Sequence, residues 1–318
     1  MKRIAVVGAG AIGGFLAGAL ARAGHRVAVV ARGPHLAAIQ RDGIRIESDL
    51  GSFGVRVEAS DDLRELGGFD VLLLTFKAHH WPDFRPQLQP FAERATTIVT
   101  MQNGVPFWYE RKTPLRSVDP GGVIGRLFPD ERVVGSVVHV SGAIVEPGLV
   151  RQSGGLRYIF GDPRGGAGDA TTGLTAIFRS AGLAAEVDRD IRSTIWLKLV
   201  NNAGLNPVSV LRAMTIKPML AHPQARAHVR ELMREAALVG QAMGVVSTVD
   251  LEARIAYAAR LDDVKTSMLQ DYERGRSLEL DPILGAAIEL GERYDVAVPR
   301  LRAAYEQLRQ MSVTASPR

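Results

Sequence analysis

The 318-residue sequence contains no cysteine, which excludes disulfides, thiolate metal sites and cysteine nucleophiles. Lysine is scarce. Only Lys2, Lys77, Lys112, Lys198, Lys217 and Lys265 occur, and arginine supplies the rest of the 39 basic residues. Arginine stays protonated near neutral pH, whereas a lysine exchanges its proton when its surroundings shift it. A lysine inside an apolar stretch of this chain therefore stands out. No segment has the length and apolarity of a bilayer-spanning helix. There is also no basic block of the kind that marks a nucleic-acid-binding arm; the 39 basic and 34 acidic residues leave a formal charge of +5. These absences argue against nucleic-acid and membrane partners, while the mild positive balance suits an anionic substrate and cofactor. The 46% apolar and 23% charged residues are ordinary for a soluble globular protein, and the length suggests two domains. A cytoplasmic enzyme fits the cysteine-free composition.

At the N-terminus Lys2 and Arg3 precede a weakly polar run from Ile4 to Ala21. Such a run reads either as a signal segment or as a buried strand, a glycine turn and a helix. The glycines at 8, 10, 13, 14 and 18, and the strand-like residues resuming at Val27, favour the second. Further strands are expected at Val27–Ala31, Asp70–Thr75 and Thr97–Met101, with short ones at Ile44–Ile46 and Val55–Glu58. Strands alternating with helical stretches imply βαβ units and a parallel sheet. Extended segments at Val133–Val140, Gly142–Val145 and Leu156–Phe160 would add a late, partly antiparallel portion. Gly161 to Gly168, with one proline and four glycines, is the candidate linker. Beyond it the pattern is helical: Ile191–Met214, Ala225–Met243, Thr248–Leu261, Ile283–Tyr294 and Leu301–Met311, with 312–318 expected to fray. The expected fold is thus α/β, a doubly wound N-terminal sheet over residues 1–167 followed by an all-α domain over 168–318.

Gly8-Ala9-Gly10-Ala11-Ile12-Gly13 lies directly after the first strand and opens the first helix. Its first glycine permits a tight turn, its second lets a pyrophosphate approach the backbone, and its third lets helix and strand pack closely. The helix N-terminus then offers free N–H groups to phosphate. At the end of the second strand an NAD enzyme usually carries an acid for the ribose hydroxyls. This chain has Arg32, whose guanidinium pairs with a 2′-phosphate instead, which favours NADPH; the alternative is a solvated surface arginine. Lys77 and Asn103 end predicted parallel strands, where ligands of open sheets sit. They read otherwise as a loop lysine and a simple Asn-Gly turn.

In the second half Lys198, Asn202 and Asn206 are spaced at i, i+4 and i+8, which puts them along one helix face amid apolar neighbours. Burying an ammonium without a partner is costly, so this stripe faces a wet cleft or a bound anion. The competing reading is a lysine reaching to solvent, with the asparagines capping a helix break at Pro207. Ser267 and Glu279 offer a hydroxyl and a carboxylate, though each alone also reads as a cap residue and a surface acid. The seven histidines show no metal-ligand spacing.

Taken together, the glycine fingerprint, the Lys77 strand end, the Asn103-Gly104 turn, the Trp196-Leu197-Lys198-Leu199 run with Asn202 and Asn206, and Ser267-Met268-Leu269-Gln270-Asp271 before Glu279 resemble the ketopantoate reductase family over nearly the whole chain. The resemblance implies an N-terminal Rossmann domain, a helical C-terminal domain and an active site in the cleft between them. It implies NADPH as hydride donor and 2-dehydropantoate as substrate, giving pantoate on the route to coenzyme A. Lys198 would be the general acid and Glu279 the acid that orients the substrate hydroxyl. Asn202, Asn206 and Ser267 would contact substrate, Asn103 and Lys77 would lie near the nicotinamide and its ribose, and Arg32 would hold the 2′-phosphate. The glycine-motif residues Gly8, Ala9, Gly10, Ala11, Ile12 and Gly13 would bind the cofactor. No metal is implied, and a homodimer is implied by the resemblance alone. An insertion at 107–126 departs from the pattern and is expected to reshape the substrate pocket. Other readings are a reductase of another 2-keto acid or an imine on the same scaffold, and a non-catalytic NADP(H) sensor, against which the proton donor Lys198 and Glu279 argue.

Overall fold

The computed structural model describes residues 2–92, 94, 96–260 and 263–314. The chain divides into two compact units, one of Met1–Gln102 with Val123–Ile191 and the other of Asn103–Gly122 with Arg192–Arg318.

The first unit is built on one sheet. Its strands are β1 (Arg3–Val7), β2 (Arg26–Val30), β3 (Ile44–Ser48), β4 (Gly51–Val55), β5 (Glu58–Ser60), β6 (Val71–Leu74), β7 (Thr97–Thr100), β8 (Val133–Glu146), β9 (Leu149–Gly161) and β10 (Ala184–Val187). They are ordered β4-β3-β9-β8-β7-β6-β1-β2-β5, with β10 beside β9. From β8 to β5 every neighbouring pair is parallel, and the order is that of the doubly wound dinucleotide-binding sheet. The apolar runs Ile4–Val7, Val27–Val30 and Val71–Leu74 are buried throughout, as strands covered on both faces must be. Register pairs Val7 with Val30 and Leu74, and Leu74 with Thr100. The carboxyl ends of β1, β2, β6 and β7 therefore form one level row.

The first-unit helices are α1 (Ala11–Arg22), α2 (Gly33–Asp42), α3 (Trp81–Leu88), α4 (Val123–Leu127) and α5 (Asp169–Ser180). Phe15, Leu16 and Leu20 of α1 pack into a core with Val6, Val29, Val150 and Tyr158.

Several expectations are corrected in detail. The two short strands around Asp49 are Ile44–Ser48 and Gly51–Val55, paired antiparallel, and Glu58 belongs to a separate parallel strand beside β2. The segments expected at Val133–Val140 and Gly142–Val145 form one strand, β8. The gap between them is a register shift in its ladder with β9, not a strand end.

The domain limits expected at 167 and 168 also move. Residues 168–191 belong to the first unit because β10 pairs with β9 and the Phe178 ring of α5 meets Tyr158 and Phe160 edge-on at 5.0 and 4.8 Å. Asn103–Gly122 belongs to the second unit, because its backbone and side chains bond there, as described below.

In the second unit every regular element among the described residues is helical: α6 (Ile191–Arg212), α7 (Ile216–Ala221), α8 (Pro223–Ala242), α9 (Leu251–Arg260), α10 (Ser267–Glu273), a π-turn at Asp281–Gly285, α11 (Ala286–Arg293) and α12 (Pro299–Thr314). Leu261 and residues 315–318, expected to end a helix and to fray, lie outside the described residues, whereas 312–314 continue α12. No helix among the described residues is long and apolar enough to cross a membrane.

Trp196 locks α6 to α8. Its indole Nε1 donates to the Ala236 carbonyl at 3.0 Å, and Gly240 makes room, because a Cβ there would overlap the ring. The buried Glu235 carboxylate of α8 accepts from the backbone N–H groups of Arg300 at 3.0 Å and Leu301 at 2.9 Å. It thus serves as a cap for α12 supplied by another helix. Glu235→Ala removes that cap and leaves the part-buried Arg300 and buried Leu301 N–H groups without their acceptor, so we expect a stability decrease of about 2 kcal/mol, read from the denaturant midpoint.

Candidate active site

In the first unit the turn after β1 is fixed by its backbone. Gly8 has φ +103°, a conformation that side chains rarely adopt, and a Cβ there would stand 2.8 Å from the Phe76 nitrogen. The N–H groups of Gly8 and Ala9 both donate to the Val30 carbonyl, at 3.1 and 2.8 Å. The Thr75 hydroxyl donates to the Gly8 carbonyl at 2.8 Å. A Cβ on Gly13 would collide with that same carbonyl and with the Thr75 hydroxyl, so here the need for glycine is close packing. Gly10 differs: a Cβ on it meets no protein atom within 4 Å. The fold itself does not require glycine at 10, which leaves open space beside the backbone. Gly10 also caps α1 without a side-chain hydrogen bond, and the first turn of α1 has no acidic residue. Unsatisfied N–H groups at such a terminus attract an anion. The residues present therefore fit a dinucleotide's pyrophosphate.

Around the same row of strand ends, Arg32 precedes α2 and Lys77 precedes the short turn Ala78–His80. The Arg32 guanidinium lies 3.1 Å from Asp83 Oδ2 and over the Phe84 ring at 4.7 Å. His80 Nδ1 lies 3.0 Å from the same carboxylate oxygen. The His80 and Arg32 hydrogen bonds hold the Asp83 carboxyl below the usual carboxylate range. Asp83 was not singled out in the sequence, since nothing there shows that the first turn of α3 reaches the end of β2. Gln102, just past β7, has its side-chain nitrogen buried without a hydrogen-bond partner.

In the second unit α6 carries Lys198. Trp196, two residues earlier, is buried in the core, which turns Lys198 to the opposite side of the helix. Lys198 Nζ donates to Asn103 Oδ1 at 2.9 Å, and Asn103 Nδ2 donates to Glu279 Oε2 at 3.3 Å. Burial pushes the Lys198 pKa down to about 8, against the opposing pull of the Glu279 charge. Asn103 is held by the turn that follows it. Gly104 has φ +84°, a Cβ there would strike the Pro282 carbonyl, and Val105 N–H donates to that carbonyl at 2.7 Å. Glu279 is itself buried and stands just before the helical turn that carries Pro282. The sequence pattern pointed to Asn103 and Lys198 separately, but their direct bond was not visible in it.

Asn202 and Asn206 follow one and two turns along α6, which runs unbroken through Pro207 to Arg212. The asparagines therefore do not cap a helix break. Ser267 is the exposed first residue of α10. The cap of that helix is Thr266, whose hydroxyl accepts from the Leu269 N–H at 3.1 Å. Ser267 makes no side-chain bond to the Lys198 group among the described residues.

The insertion contributes core rather than a free loop. Phe107, Trp108, Tyr109, Leu115 and Val118 are buried. Arg192 donates to the Tyr109 carbonyl at 2.7 Å and lies over its ring at 4.2 Å. The Glu289 carboxylate accepts from the backbone N–H groups of Arg116 and Ser117.

Comparison with known proteins is consistent along the chain. Residues 4–165 match the family described as ketopantoate reductase PanE/ApbA, and residues 190–312 match its C-terminal counterpart. The 2-dehydropantoate 2-reductase of Mesorhizobium japonicum is 40% identical, with 98% of each chain covered. A solved structure from Ralstonia solanacearum, assigned to the ketopantoate reductases, is 36% identical with a TM-score of 0.93, covering 99% of both chains. The crystal structure of 2-dehydropantoate 2-reductase from Methylococcus capsulatus is 30% identical with a TM-score of 0.85, covering 99% of this chain and 98% of that one.

The second and third glycines of the fingerprint separate folding from binding. Gly13→Ala should lower the melting temperature through its collision with the Gly8 carbonyl. Gly10→Ala should leave melting of the free protein unchanged and weaken dinucleotide binding about tenfold or more, measured by titration calorimetry.

Proposed function

Because the chain belongs to the ketopantoate reductase family, we propose that it is an NADPH-dependent oxidoreductase that reduces 2-dehydropantoate to pantoate. The observation that carries this reading is the Lys198–Asn103–Glu279 chain of hydrogen bonds, with its partly desolvated ammonium. When bound, the nicotinamide cofactor supplies the hydride. What remains for the protein is to orient a ketone, stabilise the negative charge that forms on its oxygen and deliver one proton.

Lys198 suits the last two tasks. Its ammonium offers three donors, of which Asn103 takes one. In this reading the ammonium also donates to the substrate's carbonyl oxygen. With a pKa pushed down to about 8, the group is protonated at neutral pH yet releases its proton more readily than a solvated lysine. Asn103 positions it by joining it to Glu279. In this reading Glu279 accepts the substrate's hydroxyl hydrogen. Asn202, Asn206 and Ser267 supply further polar contacts to the keto acid. Gly8 to Gly13 hold the pyrophosphate, Arg32 meets the 2′-phosphate, and Lys77 contacts the cofactor. The reading also includes a cytoplasmic location and assembly as a homodimer, the latter testable by sedimentation.

The test is a screen of 2-keto acids with NADPH and NADH in parallel, following cofactor oxidation by absorbance. We expect 2-dehydropantoate with NADPH to give the highest kcat/KM; oxidation by another keto acid alone would move the substrate assignment. The proton donor sets the pH dependence. Reduction needs the ammonium, so kcat/KM should hold below about pH 8 and fall above it, while oxidation of pantoate, which needs the free amine, should rise through the same range. Lys198→Ala should lower kcat for reduction by about 10²- to 10⁴-fold, and undiminished turnover would remove Lys198 from the chemistry.

A further inference from the structure

We propose that Asp83 is a specificity-determining residue for the dinucleotide, its carboxylate competing with a 2′-phosphate for Arg32 and so restraining the preference for NADPH over NADH. The inference rests on the proposed function, which takes the α1 terminus as a dinucleotide site.

The arrangement is local to the first unit and specific. Enzymes that use NAD carry an acid at the end of the second strand, where it accepts from the ribose hydroxyls. Here that position is Arg32, but a carboxylate is brought to the same corner from α3. Arg32 and Asp83 lie 3.1 Å apart with side chains 48% and 46% exposed, so both are within reach of a ligand. The pair is also mechanically tied to the glycine turn. The Arg32 guanidinium lies over Phe84, Phe84 stacks on Phe76 with centroids 4.4 Å apart, and the Phe76 backbone fills the space where a Gly8 side chain would stand. A shift of Arg32 away from Asp83 would forfeit its place on this stack. His80 holds the carboxylate from the other side at 3.0 Å.

Two consequences follow from charge alone. A 2′-phosphate, carrying between one and two negative charges at neutral pH, must share the guanidinium with an ionised carboxylate a few ångströms away. Part of what Arg32 contributes to phosphate binding is thereby cancelled. A ribose 2′-hydroxyl meets the opposite situation. Both Arg32 and His80 engage Oδ2, which leaves Oδ1 as an acceptor for the hydroxyl. The corner therefore offers something to each cofactor, and the balance between them is set by Asp83 as well as by Arg32.

The test is titration calorimetry of the full-length protein with NADPH and with NADH, without keto acid, for wild type, Asp83→Asn, Arg32→Ala and the double variant. Asp83→Asn is expected to raise the NADPH-to-NADH affinity ratio about tenfold, chiefly by tightening NADPH, with a half-exposed pair setting the modest size of the effect. On the Arg32→Ala background the same change is expected to tighten NADPH much less, because the competition it relieves is gone. An unchanged or lower ratio in Asp83→Asn, with both cofactors still bound by wild type, overturns the role of Asp83 alone. Wild-type protein that binds neither cofactor overturns the proposed function and this inference together.

Discussion

An ammonium drawn partly out of water has to be met by polar groups, and the second unit is arranged around meeting this one. Lys198 cannot relax to the far side of α6, because Trp196 anchors that side of the helix to α8. One of its partners is a neutral amide, that of Asn103. The amide accepts from the amine and donates to Glu279, which joins the ammonium to the negative charge. The depressed pKa of Lys198 is the outcome of burial prevailing over the attraction of that charge.

The two units supply different kinds of chemistry. The first offers backbone: a turn forced by Gly8, a helix terminus free of its own caps, and strand ends brought level by register. Backbone groups are well suited to phosphates, which need donors but little discrimination. The second offers side chains on one helix face and one turn, suited to a small substrate whose functional groups must be told apart. Arg32 and Asp83 are the exception in the first unit, a charged side-chain pair set beside the end of β2.

The parts legible in the sequence are those whose signal is short in range. The glycine spacing, the central apolar strands and the i, i+4, i+8 spacing each depend on neighbours within a few residues, and the turn, the parallel strands and the unbroken helix that they imply are all present. The turn glycine at 104 could be seen as a turn, but its reason, the Pro282 carbonyl pressed against it, lies far along the chain. For the same reason the Lys198–Asn103 bond, the Glu235 cap on α12 and the Arg32–Asp83 pair were not visible. The linker misled because glycine and proline mark a change of direction, not a change of core. After Gly161–Gly168 the chain turns back to add α5 and β10 to the sheet it has just left.

The segment Asn103–Gly122 belongs to the helical unit although it is flanked by strands of the other. During synthesis its aromatic residues Phe107, Trp108 and Tyr109 emerge well before α6, whose Arg192 later closes over Tyr109. A nascent chain must therefore carry an apolar stretch that has no home until the ribosome has added the helices. The same connectivity means that no single uninterrupted fragment reproduces either core: cutting after Ile191 strands three aromatic rings, and starting at Arg192 removes the asparagine on which the ammonium depends.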